Sequence, residues 1–167
     1  RTAGSQAETE ASNFIFQEFI NIGLQNVRKE QVNIDSWDFK NAALYYVDKL
    51  QPKKITLSSY ANNCIIANKE FELVYVGRGT RSDYQDLDVK DKLVLIDLDE
   101  YIGCQVGVSA YQAKKNGAYG IIVSPFENDD KIITKSLNYD NFIAPANIPT
   151  FSMSLKDAKA LKKRLGK

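Results

Sequence analysis

Four apolar residues in a row, Leu93–Ile96 within KLVLID, and a second run, GIIV at 120–123, stand on either side of a polar, helix-patterned stretch, VSAYQAKKNGAY. Each run is too short for a helix and reads as a buried strand. The stretch between has room for a helix from about Val106 to Asn116, closed at Gly117, where a left-handed backbone costs glycine least. Strand, helix and strand in that order make a βαβ unit, whose right-handed crossover sets the two strands parallel.

Residues 6–22, QAETEASNFIFQEFINI, repeat Ala11, Phe14, Ile15, Phe19 and Ile22 at helical spacing and stop at Gly23, which predicts a helix. Phe16 and Ile20 widen its apolar surface, so it should be partly exposed or covered by something outside its own domain. Val27, Val32 and Ile34 mark a strand over Asn26–Asp35 that ends near Trp37. DFKNAALYYVDKL, 38–50, reads as another strand, with a helix as the competing pattern. Short β-like runs follow at Lys54–Leu57, Cys64–Ala67 and Glu72–Val76, separated by turn residues at Ser58-Ser59 and Ala61-Asn62-Asn63. GRGT, 77–80, is a turn, and SDYQDLDV, 82–89, offers Tyr84 and Leu87 as inward anchors. IPTFSMS supplies a last strand, and Ser154 caps a basic helix, SLKDAKALKKRL, in which Asp157 completes a capping box. The pattern is mixed α/β, mostly β in the middle, with one βαβ unit and flanking helices.

The residue types limit the chemistry. There is no histidine in the 167 residues, which removes the usual general base near neutral pH and the commonest zinc ligand. GVSAY, 107–111, lacks the closing glycine of a nucleophile elbow, and no serine stands in an S-x-x-K pattern. Catalytic residues are therefore not expected. A phosphate would need glycines and free N–H groups at the start of the helix, but that loop, DLDEYIGCQVG, carries Asp97, Asp99 and Glu100, and Gly117 and Gly120 sit at the helix's negative end. The acidic DLDE run, with Glu127–Asp130 at the end of the neighbouring strand, could collect a hard cation, against the simpler reading of two solvated acidic loops. Lys and Arg number 22 against 21 Asp and Glu, a net charge of +1, so no overall basic field attracts nucleic acid or anionic lipid. The 17 tyrosines and phenylalanines (9 and 8) are spread among strands and suit packing better than base stacking. No apolar run approaches the roughly 20 residues of a membrane span. Cys64 and Cys104 form no C-x-x-C motif, and whether they pair stays open. The opening RTAGSQ has no initiator Met and reads as a segment of a longer chain.

Taken together, ELVYVGRGTRSDYQDLDVKDKLVLID, VSAYQAKKNGAYGIIV and IPTFSMSLKDAKAL resemble the protease-associated domain in the order of their parts, over about residues 55–165. RTAGSQAETEASNFIFQEFINIGLQNV is similar to the opening of zinc aminopeptidases of the glutamate carboxypeptidase and transferrin receptor type, in which a protease-associated domain is inserted after that helix. The resemblance implies a mixed α/β fold of the swivelling β/β/α type, a β-rich sandwich or open barrel with a βαβ unit and flanking helices, with residues 1–50 an N-terminal piece of the peptidase domain, 51–167 the protease-associated domain, and the zinc catalytic domain outside this chain. It implies no cofactor here and two zinc ions in the absent domain. It also implies a non-catalytic role in lining or restricting substrate access, an extracellular or cell-surface location, and as partners a peptide substrate and the peptidase domain, with a homodimer left open. The loop after the KLVLI strand faces the substrate cleft in relatives, which makes Asp99, Glu100, Tyr101 and Gln105 the cleft-lining candidates. Relatives that prefer acidic substrates carry an arginine near this turn; here there is none between Arg81 and Arg164, and the acidic loop would favour a free or basic amino terminus. The alternatives are a protease-associated binding module of a subtilisin-like protease or sorting receptor, and an independent small-molecule or calcium-binding domain.

Overall fold

A computed structural model of the chain describes residues 4–33, 39–61, 64–98, 106–125, 135–136 and 148–166. The chain divides into two compact units, Arg1–Asp38 and Phe39–Lys167.

The first unit is built on α1, Gln6–Asn21. The Ser5 side chain caps it by accepting from the Glu8 N–H, and Gly23 leaves it with a positive φ. None of its residues is buried; Phe14 is 67% exposed and Ile22 69%. The strand expected over Asn26–Asp35 does not form among its described residues, 26–33. Asn26 takes a positive φ of 59°, and Lys29 then reaches back to α1, donating to Asn13 Oδ1 and lying 5.2 Å from the Phe16 ring. Among the described residues no strand pairs with this segment, and alternation alone does not make a ladder.

The second unit holds one mixed sheet that curls into a half-barrel. Its strands are β1 (Ala42–Asp48), β2 (Gln51–Ala61), β3 (Leu73–Tyr75), β4 (Leu93–Leu98), β5 (Gly120–Pro125), β6 (Lys135–Ser136) and β7 (Thr150–Ser152). The order across the sheet is β1-β2-β7-β5-β4-β3, with β6 on β2. β3, β4, β5 and β7 run parallel, and the β1–β2 hairpin joins antiparallel through β7. Residues 39–50 go with this sheet rather than with α1, because β1 pairs with β2 along its whole length, from Ala42↔Leu57 to Asp48↔Gln51.

Each parallel strand sends alternate side chains to two cores. Val94, Ile96, Leu98, Ile121 and Val123 pack with Ala110 and Ala113 of α2 (Val106–Lys115). Leu93, Leu95 and Ile122 pack with Ile55 and Leu57 of the hairpin and with Ala158 and Leu161 of α3 (Leu155–Arg164). This double coverage is why KLVLI and GIIV are apolar without alternation. The βαβ unit thus forms as its sequence predicts, with Leu93↔Gly120 starting a parallel register and Gly117 at φ +81° after the helix.

Several local expectations are corrected. Ser58 and Ser59 do not turn the chain; both are buried inside β2 opposite Ser152 and Phe151, and the Ser59 hydroxyl donates to Thr150 O at 3.4 Å. Cys64–Ala67 forms no strand, and Ile65 points into solvent. Tyr84, in the 3-10 turn Arg81–Tyr84, is an anchor, but Leu87 is exposed and Val89 fills the core in its place. Asp86, at φ +62°, redirects the chain between Tyr84 and Leu87. Ser154 does cap α3 by accepting from the Asp157 N–H at 3.1 Å, while Asp157 answers through the Ser154 hydroxyl at 2.6 Å. Cys64 is half-buried, which raises its thiol pKa; Cys104 lies outside the described residues, and with it the question of pairing.

Candidate functional site

In sheets of parallel strands the ligand-facing edge is the one where the strands end. Here the register places Tyr75 beside Leu95, Leu98 beside Pro125 and Val123 beside Ser152, so β3, β4, β5 and β7 finish at one common edge.

The GRGT turn folds over this edge. Its Gly79 has φ +69° and sits where a Cβ would come within 3.1 Å of Ile96 Cγ2 and 3.3 Å of Ser109 Cβ. Only a glycine lets the turn approach both β4 and the first turn of α2. Asp83 holds the turn closed: its Oδ2 accepts from the Thr80 N–H at 2.8 Å and from the Thr80 hydroxyl at 2.7 Å. The Asp97 N–H donates to Gly77 O at 2.8 Å, tying the turn to the end of β4.

The side chain of Asp97 points to the α3 face, in register with Leu93 and Leu95. Lys162 Nζ donates to both of its oxygens at 2.9 Å, and the Tyr75 hydroxyl donates to Oδ2 at 2.6 Å. The same ammonium lies 5.5 Å from the centre of the Tyr75 ring. Lys162 reaches the sheet because it shares a helix face with the buried Ala158 and Leu161. Asp97, the first carboxylate of the acidic DLDE run, thus has its charge balanced from within the domain, which opposes its use as a cation ligand. Sequence inspection missed Lys162 as its partner; the signal was a lysine on the apolar side of an otherwise basic helix.

Burial raises the Tyr75 hydroxyl pKa to about 12, with the hydrogen bond to Asp97 and its negative charge adding to the effect. A phenol whose pKa is higher folded than unfolded stabilises the fold fully below its unfolded pKa of about 10, and this stabilisation is lost as pH rises through about 12. Thermal melts between pH 10 and 12 should fall more steeply for the parent chain than for Tyr75→Phe; equal slopes would remove Tyr75 from the account.

Asp99, Glu100, Tyr101 and Gln105 lie outside the described residues, as does the second acidic loop, Glu127–Asp130. Their attachment points are described. Leu98 and Pro125, the last described residues before them, are register partners at the strand-ending edge. The chain has no histidine, the commonest zinc ligand, and among the described residues no three carboxylate or thiol side chains converge.

The fold and its strand-ending edge can now be set against known proteins. The family model for the PA domain matches residues 69–161. The chain belongs to the PA domain family. Solved structures similar to it include a peptidase M28 precursor from Shewanella amazonensis SB2B, at 20% identity and a TM-score of 0.74 over 99% of this chain and 40% of that one. BSAP, a zinc aminopeptidase from Bacillus subtilis, matches at 18% identity and 0.65, over 98% of this chain and 37% of that one. An aminopeptidase from Aneurinibacillus sp. strain AM-1 matches at 21% and 0.57, over 99% and 37%. The chain thus spans about two fifths of the length of these proteins. No curated protein matches it. Likeness at these identities speaks for fold, and it places the PA domain's parallel strands, GRGT turn and capped last helix within the matched span. β1 and β2 both precede the span of the family model.

Proposed function

We propose that this PA domain, together with the helix before it, is the non-catalytic, substrate-restricting part of a zinc-dependent aminopeptidase. The observation that carries the reading is coverage: nearly all of this chain, α1 included, aligns with 37–40% of proteins named as aminopeptidases or peptidases. The exposed apolar side of α1 agrees with it, since such a surface is ordinarily covered. Zinc, bound outside this chain, would supply Lewis-acid chemistry and an activated water. The residues present here supply shape and charge. The acidic loop Asp99–Gln105 starts at the strand-ending edge and would narrow the route to the metal centre, attracting a free or basic amino terminus. Such a domain contributes binding rather than bond cleavage. Secretion or surface display accompanies this reading.

In the aminopeptidase that carries this domain, replacing both Asp99 and Glu100 by alanine should raise KM for peptides with a basic first residue by about threefold, the weight expected of two exposed charges. The kcat on a small aminoacyl reporter should stay unchanged. Identical KM values across basic, neutral and acidic peptides would remove the loop from substrate selection.

A further inference from the structure

The β1–β2 hairpin ends in a two-residue turn, Lys49-Leu50, with φ of 47° and 66°. Both residues are left-handed, the geometry of a type I′ turn, which Asn-Gly makes readily and a branched apolar residue makes only with strain. Leu50 nevertheless occupies the tip and is 92% exposed. It gains nothing inside this domain from being leucine, so its gain lies in contact with something else. The outward face beneath it continues the surface: Tyr45 is 66% exposed and Val47 56%, paired across the strands with Lys54 and Pro52.

Among the described residues, the exposed charges on the tip and on the β2 stretch next to it are positive. Lys49, Lys53 and Lys54 are exposed, and the acid beside them, Asp48, is bound by Arg164 Nη1 at 2.9 Å. Lys54 lies 6.0 Å from the Tyr45 ring. The net charge of +1 for the whole chain conceals this concentration. A second copy of the hairpin would meet like charge, which disfavours pairing along the β1 edge. An apolar tip, an amphipathic tyrosine and long lysines whose stems lie along apolar surface while their ammonium groups stay wet fit the boundary of an anionic lipid bilayer.

We propose that the β1–β2 hairpin is a peripheral membrane-docking element, which inserts Leu50 among the acyl chains of an anionic leaflet and sets Lys49, Lys53 and Lys54 against its headgroups. The proposal is independent of the peptidase reading.

The test is sedimentation of the full 167-residue chain with vesicles of phosphatidylglycerol and phosphatidylcholine, or of phosphatidylcholine alone. Binding should favour the anionic vesicles by at least about tenfold and weaken as salt is raised. Lys53→Glu/Lys54→Glu should lose about tenfold or more, each headgroup contact being worth roughly fivefold. The decisive variant is Lys49→Asn/Leu50→Gly. It supplies the residues a type I′ turn prefers, so the domain should melt no lower than the parent, yet binding should fall about tenfold or more. Full binding by that variant, equal binding to both vesicle types, or no binding at all would overturn the proposal. So would a loss of binding confined to Phe14→Ser/Ile22→Ser, which would assign the contact to α1.

Discussion

Gly120→Val should lower the melting temperature of the PA domain by about 10 °C or abolish its folding. A Cβ at Gly120 would stand 2.9 Å from Pro149 O and 3.1 Å from both Leu93 Cδ2 and Pro149 Cβ. Pro149 O cannot retreat, because it accepts from the Ile121 N–H at 2.8 Å and so helps hold β7 on β5. Overpacking of this kind costs about 3 kcal/mol, a large share of the roughly 5–15 kcal/mol that holds a domain together. Valine adds methyl groups to a site already too small for one, so Gly120→Ala should fall between valine and glycine. Calorimetry of the three chains checks the order. A valine variant that melts with the parent would mean that β5 and β7 are not held as closely as described.

Asp97→Ala should destabilise the domain by about 2 kcal/mol, discounted from the cost of a fully buried pair because solvent still reaches both partners. The loss has two parts. Lys162 is left as a half-buried cation over the Tyr75 ring, and the Tyr75 hydroxyl loses its acceptor. Lys162→Met in the same chain removes the stranded charge while keeping the stem that packs beside Ala158 and Leu161. The double variant should therefore recover about half of the loss, a coupling that a double-mutant cycle measured by urea denaturation would read. Strict additivity would show that the pair contributes nothing as a pair. Because Asp97 closes the end of β4 just before the acidic loop, the same variants tell how firmly that loop's base is held.

The elements that the amino-acid pattern showed best are those buried on both sides. Leu93–Ile96 and Gly120–Val123 are apolar at every position because α2 covers one face and α3 with the hairpin the other, and no competing pattern produces such runs. β1 was harder. Its inward Ala42, Leu44 and Tyr46 alternate with outward Tyr45 and Val47, which are also apolar, so the period of two is blurred. The outward set belongs to no core of this domain, and on the reading given above it serves the membrane contact. Ser58 and Ser59 misled for another reason: their polarity suggests a turn, but β7 lies opposite both, and the Ser59 hydroxyl donates to Thr150 O. At Cys64–Ala67 composition favoured a strand, yet among the described residues no strand pairs with it.

The strand-ending edge was legible in part. Its loops could be placed from the βαβ order alone, since strands that run parallel must end together. The pairing of Asp97 with Lys162 could not, because the two are 65 residues apart and are brought together only when α3 packs over Leu95 and Ile122. Sequence also left a likeness spread over several short motifs, and it was the match of the PA domain model over residues 69–161 that turned this into membership.

The account assigns shape and charge to this chain and bond cleavage to residues outside it. The most direct measurement is hydrolysis of leucine p-nitroanilide by the purified chain with zinc added. The account predicts no release of p-nitroaniline above the zinc-containing buffer. Zinc-dependent turnover that follows the chain through stringent purification, and that disappears when the chain is removed, would contradict it.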